Sequence, residues 1–236
     1  MVRQGASGVL LVRKNYTGDR LSFGLAAELA SAHIPAFEVR TCMVADDCAL
    51  DAAHGNRRGL AGTVFVHKCA GAMASALATS DKATTASAFE EVLRVAHQVI
   101  RRVRTINVAL SGCTIPAVGK PGFTLPAGHM ELGLGIHGEP GVCRASLPAA
   151  DELLADLLRR VCEDAARGAG ARVALLLNNL GGVTQLEMGV LTRALLSAAR
   201  AHGLCVERLL AGAYMTSLDM RGFSVSVLEL DDELLS

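Results

Sequence analysis

The stretch Arg172–Leu191, RVALLLNNLGGVTQLEMGVL, limits the fold of this chain more than any other. RVALLL reads as a buried strand, NNLGG as a turn, and Thr184 and Glu187 stand at the spacing of a capping box at the head of a helix. A strand feeding a helix through a short glycine turn is the repeating unit of α/β layers. The same unit recurs upstream. Val9–Val12 is an apolar run, the polar RKNYTGD follows, and an amphipathic stretch from Leu21 to His33 closes before Pro35. AFEVRT reads as the next strand and residues 46–62 as loop. TVFVHKCAGAMASALA fits a helix by its length and alanines. Ser87 and Glu90 repeat the capping-box spacing, and Phe89, Leu93, Ala96, Ile100 and Val103 then recur at helical intervals up to Arg104.

Beyond Arg104 the character changes. TINVALSG and ELGLGI read as strands, with prolines and glycines between them. Asp151–Arg167 places Leu153, Leu154, Leu157, Leu158, Val161 and Ala165 on one helical face, and Gly168 and Gly170 stop it. FSVSVLEL closes as an alternating strand. The expected architecture is α/β, two lobes with mixed sheets flanked by helices. The division falls near Arg104, giving residues 1–104 and 105–236.

Composition removes several classes of function. Lysine plus arginine and aspartate plus glutamate both number 23, so no net charge favours nucleic acid. Apolar runs such as GVLLV are far shorter than a membrane span, and the run ahead of Arg13 and Lys14 is too short for a signal peptide. A cytoplasmic protein is expected. The seven cysteines, Cys42, Cys48, Cys69, Cys113, Cys143, Cys162 and Cys205, are scattered without a C-x-x-C, which points to reduced thiols rather than disulfides or zinc. Asn15-Tyr16-Thr17 matches the glycosylation sequon but reads as a loop.

ELGLGIHGEPG, Glu131–Gly141, holds a G-x-G-x-x-G (Gly133, Gly135, Gly138) and an overlapping H-x-E (His137, Glu139). A dinucleotide fingerprint must open a helix, and EPGVCRASLP cannot. A zinc deaminase site needs a P-C-x-x-C partner, and the chain has none. What remains is an imidazole at the end of a strand between Gly135 and Gly138, where a bare backbone lets a small ligand come close. The loop alone fits an ordinary glycine turn equally well.

Five blocks in order, VRKNYTGDRLSFGLAAELA, RRGLAGTVFVHKCAGAMA, VALSGCTIPAVGKPGFTL, MELGLGIHGEPGV and LLLNNLGGVTQLEMGVL, resemble the substrate-binding domain of dihydroxyacetone (glycerone) kinases. The closing YMTSLDMRGFSVSVLEL is similar to the eukaryotic triokinase/FMN cyclase members. The resemblance implies that His137 bonds the ketone carbon of dihydroxyacetone, or of a similar short-chain ketose or aldose, as a covalent hemiaminal. A neutral imidazole, with an ordinary pKa of about 6.5, is nucleophilic enough for this. It also implies that Lys14 hydrogen-bonds a substrate hydroxyl and that Asp19 moves a proton. By their residue types alone, Lys14 is equally a solvated lysine and Asp19 an N-cap for a helix starting at Leu21. NNLGG has the form of an anion-binding turn or of a tight αβ connection. Arg57 and Arg58 suit a phosphate, a partner domain or plain solvent.

Two parts of the family pattern are missing from the sequence: a glycine-rich S-G-H-E-P loop that completes the pocket, and a helical nucleotide domain with an aspartate cluster. Asp46-Asp47 and Asp231-Asp232 are isolated pairs, and there is no Walker loop. The chain itself is therefore expected to bind no cofactor, with ATP and Mg2+ on an ATP-binding domain, or the phosphoryl donor reached through a phosphoprotein subunit. A homodimer is the expected assembly. Two functions compete: the substrate-binding part of the kinase, and a non-catalytic ligand-sensing homologue of the same fold.

Overall fold

The computed structural model describes residues 8–34, 37–50, 57–78 and 85–235, so Pro35 and part of the expected 46–62 loop lie outside the described residues. Among the described residues the elements follow in chain order as β1 (Gly8–Lys14), α1 (Thr17–His33), β2 (Glu38–Val44), α2 (Thr63–Ala78), α3 (Thr85–Arg102), β3 (Val103–Ala109), β4 (His129–Leu132), β5 (Cys143–Ser146), α4 (Ala150–Asp164), β6 (Arg172–Asn179), α5 (Gln185–Ala201), β7 (Cys205–Gly212), β8 (Gly222–Glu229) and α6 (Asp232–Leu235). Strands β1 and β2 form a two-stranded parallel sheet; the other six form a mixed sheet in the order β5-β4-β3-β8-β6-β7, in which β6 and β7 run parallel.

The alternation of side chains along a strand sends the two faces of the large sheet to different partners. Ile106 and Val108 of β3, Val173, Leu175 and Leu177 of β6, and Phe223, Val225 and Val227 of β8 face α4 and α5, whose leucines complete one core. From the opposite face Val103, Ala174, Leu176 and Leu228 pack with Phe65 and Val66 of α2 and Val92, Ala96 and Val99 of α3. Helices thus cover both faces, and each buried leucine contributes about 1.5–3 kcal/mol of transfer free energy. No helix among the described residues is long and apolar enough to cross a membrane.

The rest of the second face is polar and nevertheless buried. Thr105, Asn107, Asn178, Ser224 and Ser226 are all fully enclosed, and Thr105 Oγ1 donates to Ser226 Oγ at 2.8 Å. The serines that make FSVSVLEL alternate therefore face the interior. The small sheet joins the large one here, where Thr105 N–H donates to the Asp46 carbonyl (2.7 Å) and Cys48 N–H to that of Thr105 (2.9 Å). Arg104 is the second residue of β3, and α2 and α3, which precede it, rest on the sheet that follows it.

Several boundaries differ from the sequence expectation. Helix α1 starts at Thr17, not Leu21, because Tyr16 is extended (φ −125°, ψ 149°) and its carbonyl receives the Arg20 N–H at 2.9 Å. Asp19 is therefore in the first turn and caps nothing; an acidic residue there complements the helix dipole. Ser87 lies inside α3 rather than ahead of it, and Glu90 instead accepts from Arg40 of β2 at 3.0 Å. Helix α3 gives way to β3 at Val103 rather than running to Arg104. Strand β4 ends at Leu132 because Gly133 turns the chain with φ +70°, so His137 sits in a loop beyond the strand rather than at its end. Helix α4 runs Ala150–Asp164 and stops at Ala166 (φ 51°), ahead of both glycines. The capping box of Thr184 and Glu187 is present on α5 as read.

Candidate functional site

A cleft of about 660 Å³ opens between the head of α1 and the loop that carries His137. One wall is residues 15–20, the short β1–α1 link with Tyr16 and the first turn of α1 with Asp19; the other is His137 with Glu139, and Arg58 completes the lining. Lys14, at the last position of β1, is not among the lining residues. Gly59 packs on it so closely that a Cβ at 59 would come within 2.6 Å of the Lys14 Cβ. Its charge bears on His67 of α2, whose pKa burial and then Lys14 lower. The structure thus brings Asp19 and His137 to one cleft and places Lys14 outside its lining.

The His137 loop is pinned by side chains from distant segments. Asn107 Nδ2 donates to the Leu134 carbonyl at 3.1 Å, and Ser217 Oγ donates to that of Ile136. Within the loop, the two oxygens of Glu139 divide between two donors of one residue: Oε2 accepts the His137 backbone N–H at 2.8 Å, and Oε1 lies 2.8 Å from Nδ1. Gly135 is required for this arrangement, since a Cβ there would overlap the Glu139 carboxylate. Burial opposes ionisation of Glu139, but the hydrogen bonds from the His137 ring and backbone outweigh it and hold the carboxyl below the usual range. An ionised carboxylate only accepts, so Nδ1 carries a proton, and in the neutral ring Nε2 is the nitrogen that keeps the lone pair. The ring of Tyr16 meets the imidazole edge-on, centroids 4.6 Å apart at 76°. Burial first, then the Glu139 charge, pushes the Tyr16 phenol well up, so it stays protonated.

Tyr16, Glu139 and Arg58 are site residues that sequence reasoning did not assign to it. Glu139 had a signal, an acid two residues after a histidine in a glycine loop, but that spacing was considered only as a metal motif. Arg57 and Arg58 are not a solvated pair: Arg57 binds Asp164 of α4, and Arg58 is buried against Asp47. Among the described residues, no three His, Cys, Asp or Glu side chains group as metal ligands. A second cavity, about 330 Å³ between α4 and α5, is walled mainly by apolar side chains such as Leu153, Leu186, Val190 and Phe223. NNLGG ends β6 and turns through Asn179, whose Oδ1 accepts the N–H groups of Gly181 and Val183 at 2.8 and 3.2 Å.

The family model for the Dak1 domain matches residues 1–236. The chain belongs to the Dak1 family. Among Dak1 relatives, it is 42% identical over 232 residues to the dihydroxyacetone-binding subunit DhaK of PTS-dependent dihydroxyacetone kinase 1 from Listeria innocua, covering 98% of this chain and 67% of that protein. It is 40% identical over 242 residues to the triokinase/FMN cyclase of Bos taurus, covering 100% of this chain but 40% of the relative. Among solved structures, the dihydroxyacetone kinase of C. freundii superposes with a TM-score of 0.79 at 34% identity, over 98% of this chain and 40% of that one; the same kinase has been solved with AMP-PNP and Mg2+. A dihydroxyacetone kinase operon co-activator, Dha-DhaQ, superposes with a TM-score of 0.84 at 26% identity, over 99% and 70% of the two chains. This Dak1 chain therefore shares the mixed sheet flanked by helices of dihydroxyacetone kinase structures, and it is homologous to their dihydroxyacetone-binding subunit.

Proposed function

We propose that this chain is the substrate-holding part of a dihydroxyacetone kinase and that His137 captures the ketone as a hemiaminal. The observation that carries this reading is the Nδ1 contact with Glu139, which makes Nε2 the lone-pair nitrogen of the neutral ring on a side chain that lines the cleft. In the step, the Nε2 lone pair forms a bond to the carbonyl carbon, and the π electrons move to oxygen. The oxygen takes a proton from solvent, which Asp19 on the opposite wall is placed to relay. The ring loses its Nδ1 proton to Glu139, so the adduct is neutral overall. Glycerol, which has no electrophilic carbon, is excluded. Lys14, at the base of the β1–α1 turn, holds a substrate hydroxyl in this proposal only if the turn shifts toward it.

Phosphoryl transfer belongs to a partner in this reading. Asp46 accepts from the backbone of Leu60 and Gly62, Asp47 from Arg58, Asp231 from Arg102 and Asp232 from Arg172. None of these pairs converges on a common point for magnesium. ATP and Mg2+ are accordingly assigned to an ATP-binding domain, or the donor to a phosphoprotein subunit, with the reaction in the cytoplasm. Residues 1–104, ending the first lobe, and 105–236, the second, each supply one wall of the cleft. A second copy of the chain is the proposed cover for the exposed leucines of α1. The similarity to the operon co-activator favours a second reading, a sensor that binds the triose without passing it on.

Intact-mass measurement after incubation with dihydroxyacetone tests the capture. One triose mass is expected on the native chain and none on His137→Ala, which removes a solvent-facing loop side chain and should leave the fold unchanged. An adduct that survives His137→Ala overturns the mechanism. Binding without any adduct favours the sensor.

A further inference from the structure

Arg57 and Arg58 occupy a position that neither wall of the cleft accounts for. The carbonyl of Arg57 accepts Asn15 Nδ2 at 2.7 Å, which ties it to the start of the turn that carries Tyr16 and Asp19. The next side chain, Arg58, reaches the other way. Its Nη1 donates to the Pro140 carbonyl at 3.2 Å and its Nη2 to that of Gly133, the two ends of the loop that carries His137 and Glu139. Its Nε donates to Asp47 Oδ2 at 2.7 Å. The Asp47 N–H returns a bond to the Arg58 carbonyl at 3.1 Å, and Asp46 holds Leu60 and Gly62 behind it at 2.6 and 2.8 Å. The Arg57 side chain anchors the same peptide to α4 through Asp164, which also accepts from Arg104 at 2.7 Å. Two consecutive residues thus bind both walls, the end of β2 and a helix behind the large sheet.

We propose that Arg58, oriented by Asp47, is a positioning residue that sets the span between Asp19 and His137 by clamping both ends of the His137 loop to the peptide that holds Asn15. The clamp requires a planar, forked cation. Two carbonyls from residues 133 and 140 and one carboxylate oxygen are met by three nitrogens of a single rigid group, and a lysine ammonium at the end of a flexible stem cannot reproduce that geometry. The cation is largely buried, so these bonds meet little competition from water. The ring itself is oriented separately, by Glu139 and Tyr16. Loss of the clamp therefore moves a correctly oriented imidazole away from its partner across the cleft.

This inference rests on the reading of His137 as the capturing group, and its test has one readout that does not. Two variants are compared with the native chain: Arg58→Lys, and the paired Asp47→Leu/Arg58→Met, which removes both buried charges together so that neither is left uncompensated. The first readout is amide hydrogen exchange across residues 133–141, expected to quicken by about 10- to 100-fold in both variants while the strands of the large sheet keep their protection. The second is the rate of triose addition at saturating dihydroxyacetone, expected to fall by about 10- to 100-fold with little change in the half-saturating concentration, since a displacement of about 1 Å is enough for such a loss. The NMR signal of the His137 Nδ1 proton should persist, as its bond to Glu139 is untouched. Native loop protection in the paired variant overturns the clamp, whether or not a triose adds. Quickened exchange with an unchanged addition rate overturns its role in setting the span. If the native chain forms no adduct, the capture reading fails, and the clamp stands or falls on the exchange data alone.

Discussion

His137 takes its orientation from a residue two places away and its surroundings from one far upstream. Replacing Glu139 by Gln removes the charge that faces Nδ1 and, in the proposed capture, the acceptor of its proton. Triose capture by Glu139→Gln should slow by about 100-fold, measured as the rate of mass addition. The same substitution has a pH signature. Glu139 has a folded-state pKa below its ordinary 4.5, so its contribution to stability is present at neutral pH and is lost as pH falls through the folded value. Native and Glu139→Gln proteins should therefore differ by a constant amount in urea unfolding above pH 4.5 and converge in more acid solution. A difference that grows toward acid pH would contradict the ionised carboxylate. The histidine was legible in the sequence because its glycine-flanked loop resembles a known family block. Arg58 was not, because its acceptors, Gly133 and Pro140, are remote in sequence, and nothing in RRG distinguishes a buried fork from a solvated pair.

Among the elements, α4 shows how a stop signal can be misplaced. The Arg167 N–H donates to the Cys162 carbonyl at 2.9 Å and the Ala166 N–H to that of Glu163 at 3.1 Å, the two bonds of a Schellman turn. The left-handed position is held by Ala166, with φ 51°, while the glycines that marked the end in the sequence come later. Ala166→Gly should raise stability by about 1 kcal/mol, because a left-handed alanine costs about 1–2 kcal/mol and glycine gives back part of that as unfolded-state entropy. A lower midpoint in chemical denaturation would refute this. Helix α5 was readable because its capping box is local and complete. Strands β5 and β7 were not, since CRAS and CVERLLAG carry no run of alternation: both are edge strands, exposed along much of their length. The start of α1 was hidden by Gly18, a poor helix former that is accommodated at a first turn.

For the molecule as a whole, the large sheet was predictable as α/β layers from the repeated strand–turn–helix pattern, whereas its strand order depends on pairings that no local pattern encodes. Helix α1 has no buried residue, and Leu21, Leu25 and Leu29 stand 70%, 57% and 49% exposed along one side of it. If a second copy covers this face, sedimentation should show concentration-dependent association of the native chain, and Leu21→Glu/Leu25→Glu should sediment as a monomer with its unfolding midpoint little changed. A native chain that remains monomeric at every concentration would rule out that cover. The pairing of β3 with β8 has a further consequence, for the order of assembly during synthesis. β3 meets β4 early, through Val108 and Leu132, but Val103 is opposite Leu228, so its other edge stays unpaired until β8 has been made. Residues 46–48 bond to β3, and the segment bearing Asp19 is tied to Arg57 beside them, so these earlier segments rest on a strand whose second edge closes only with β8. Such pairing over 125 positions, from Val103 to Leu228, is long-range closure of the kind that slows folding.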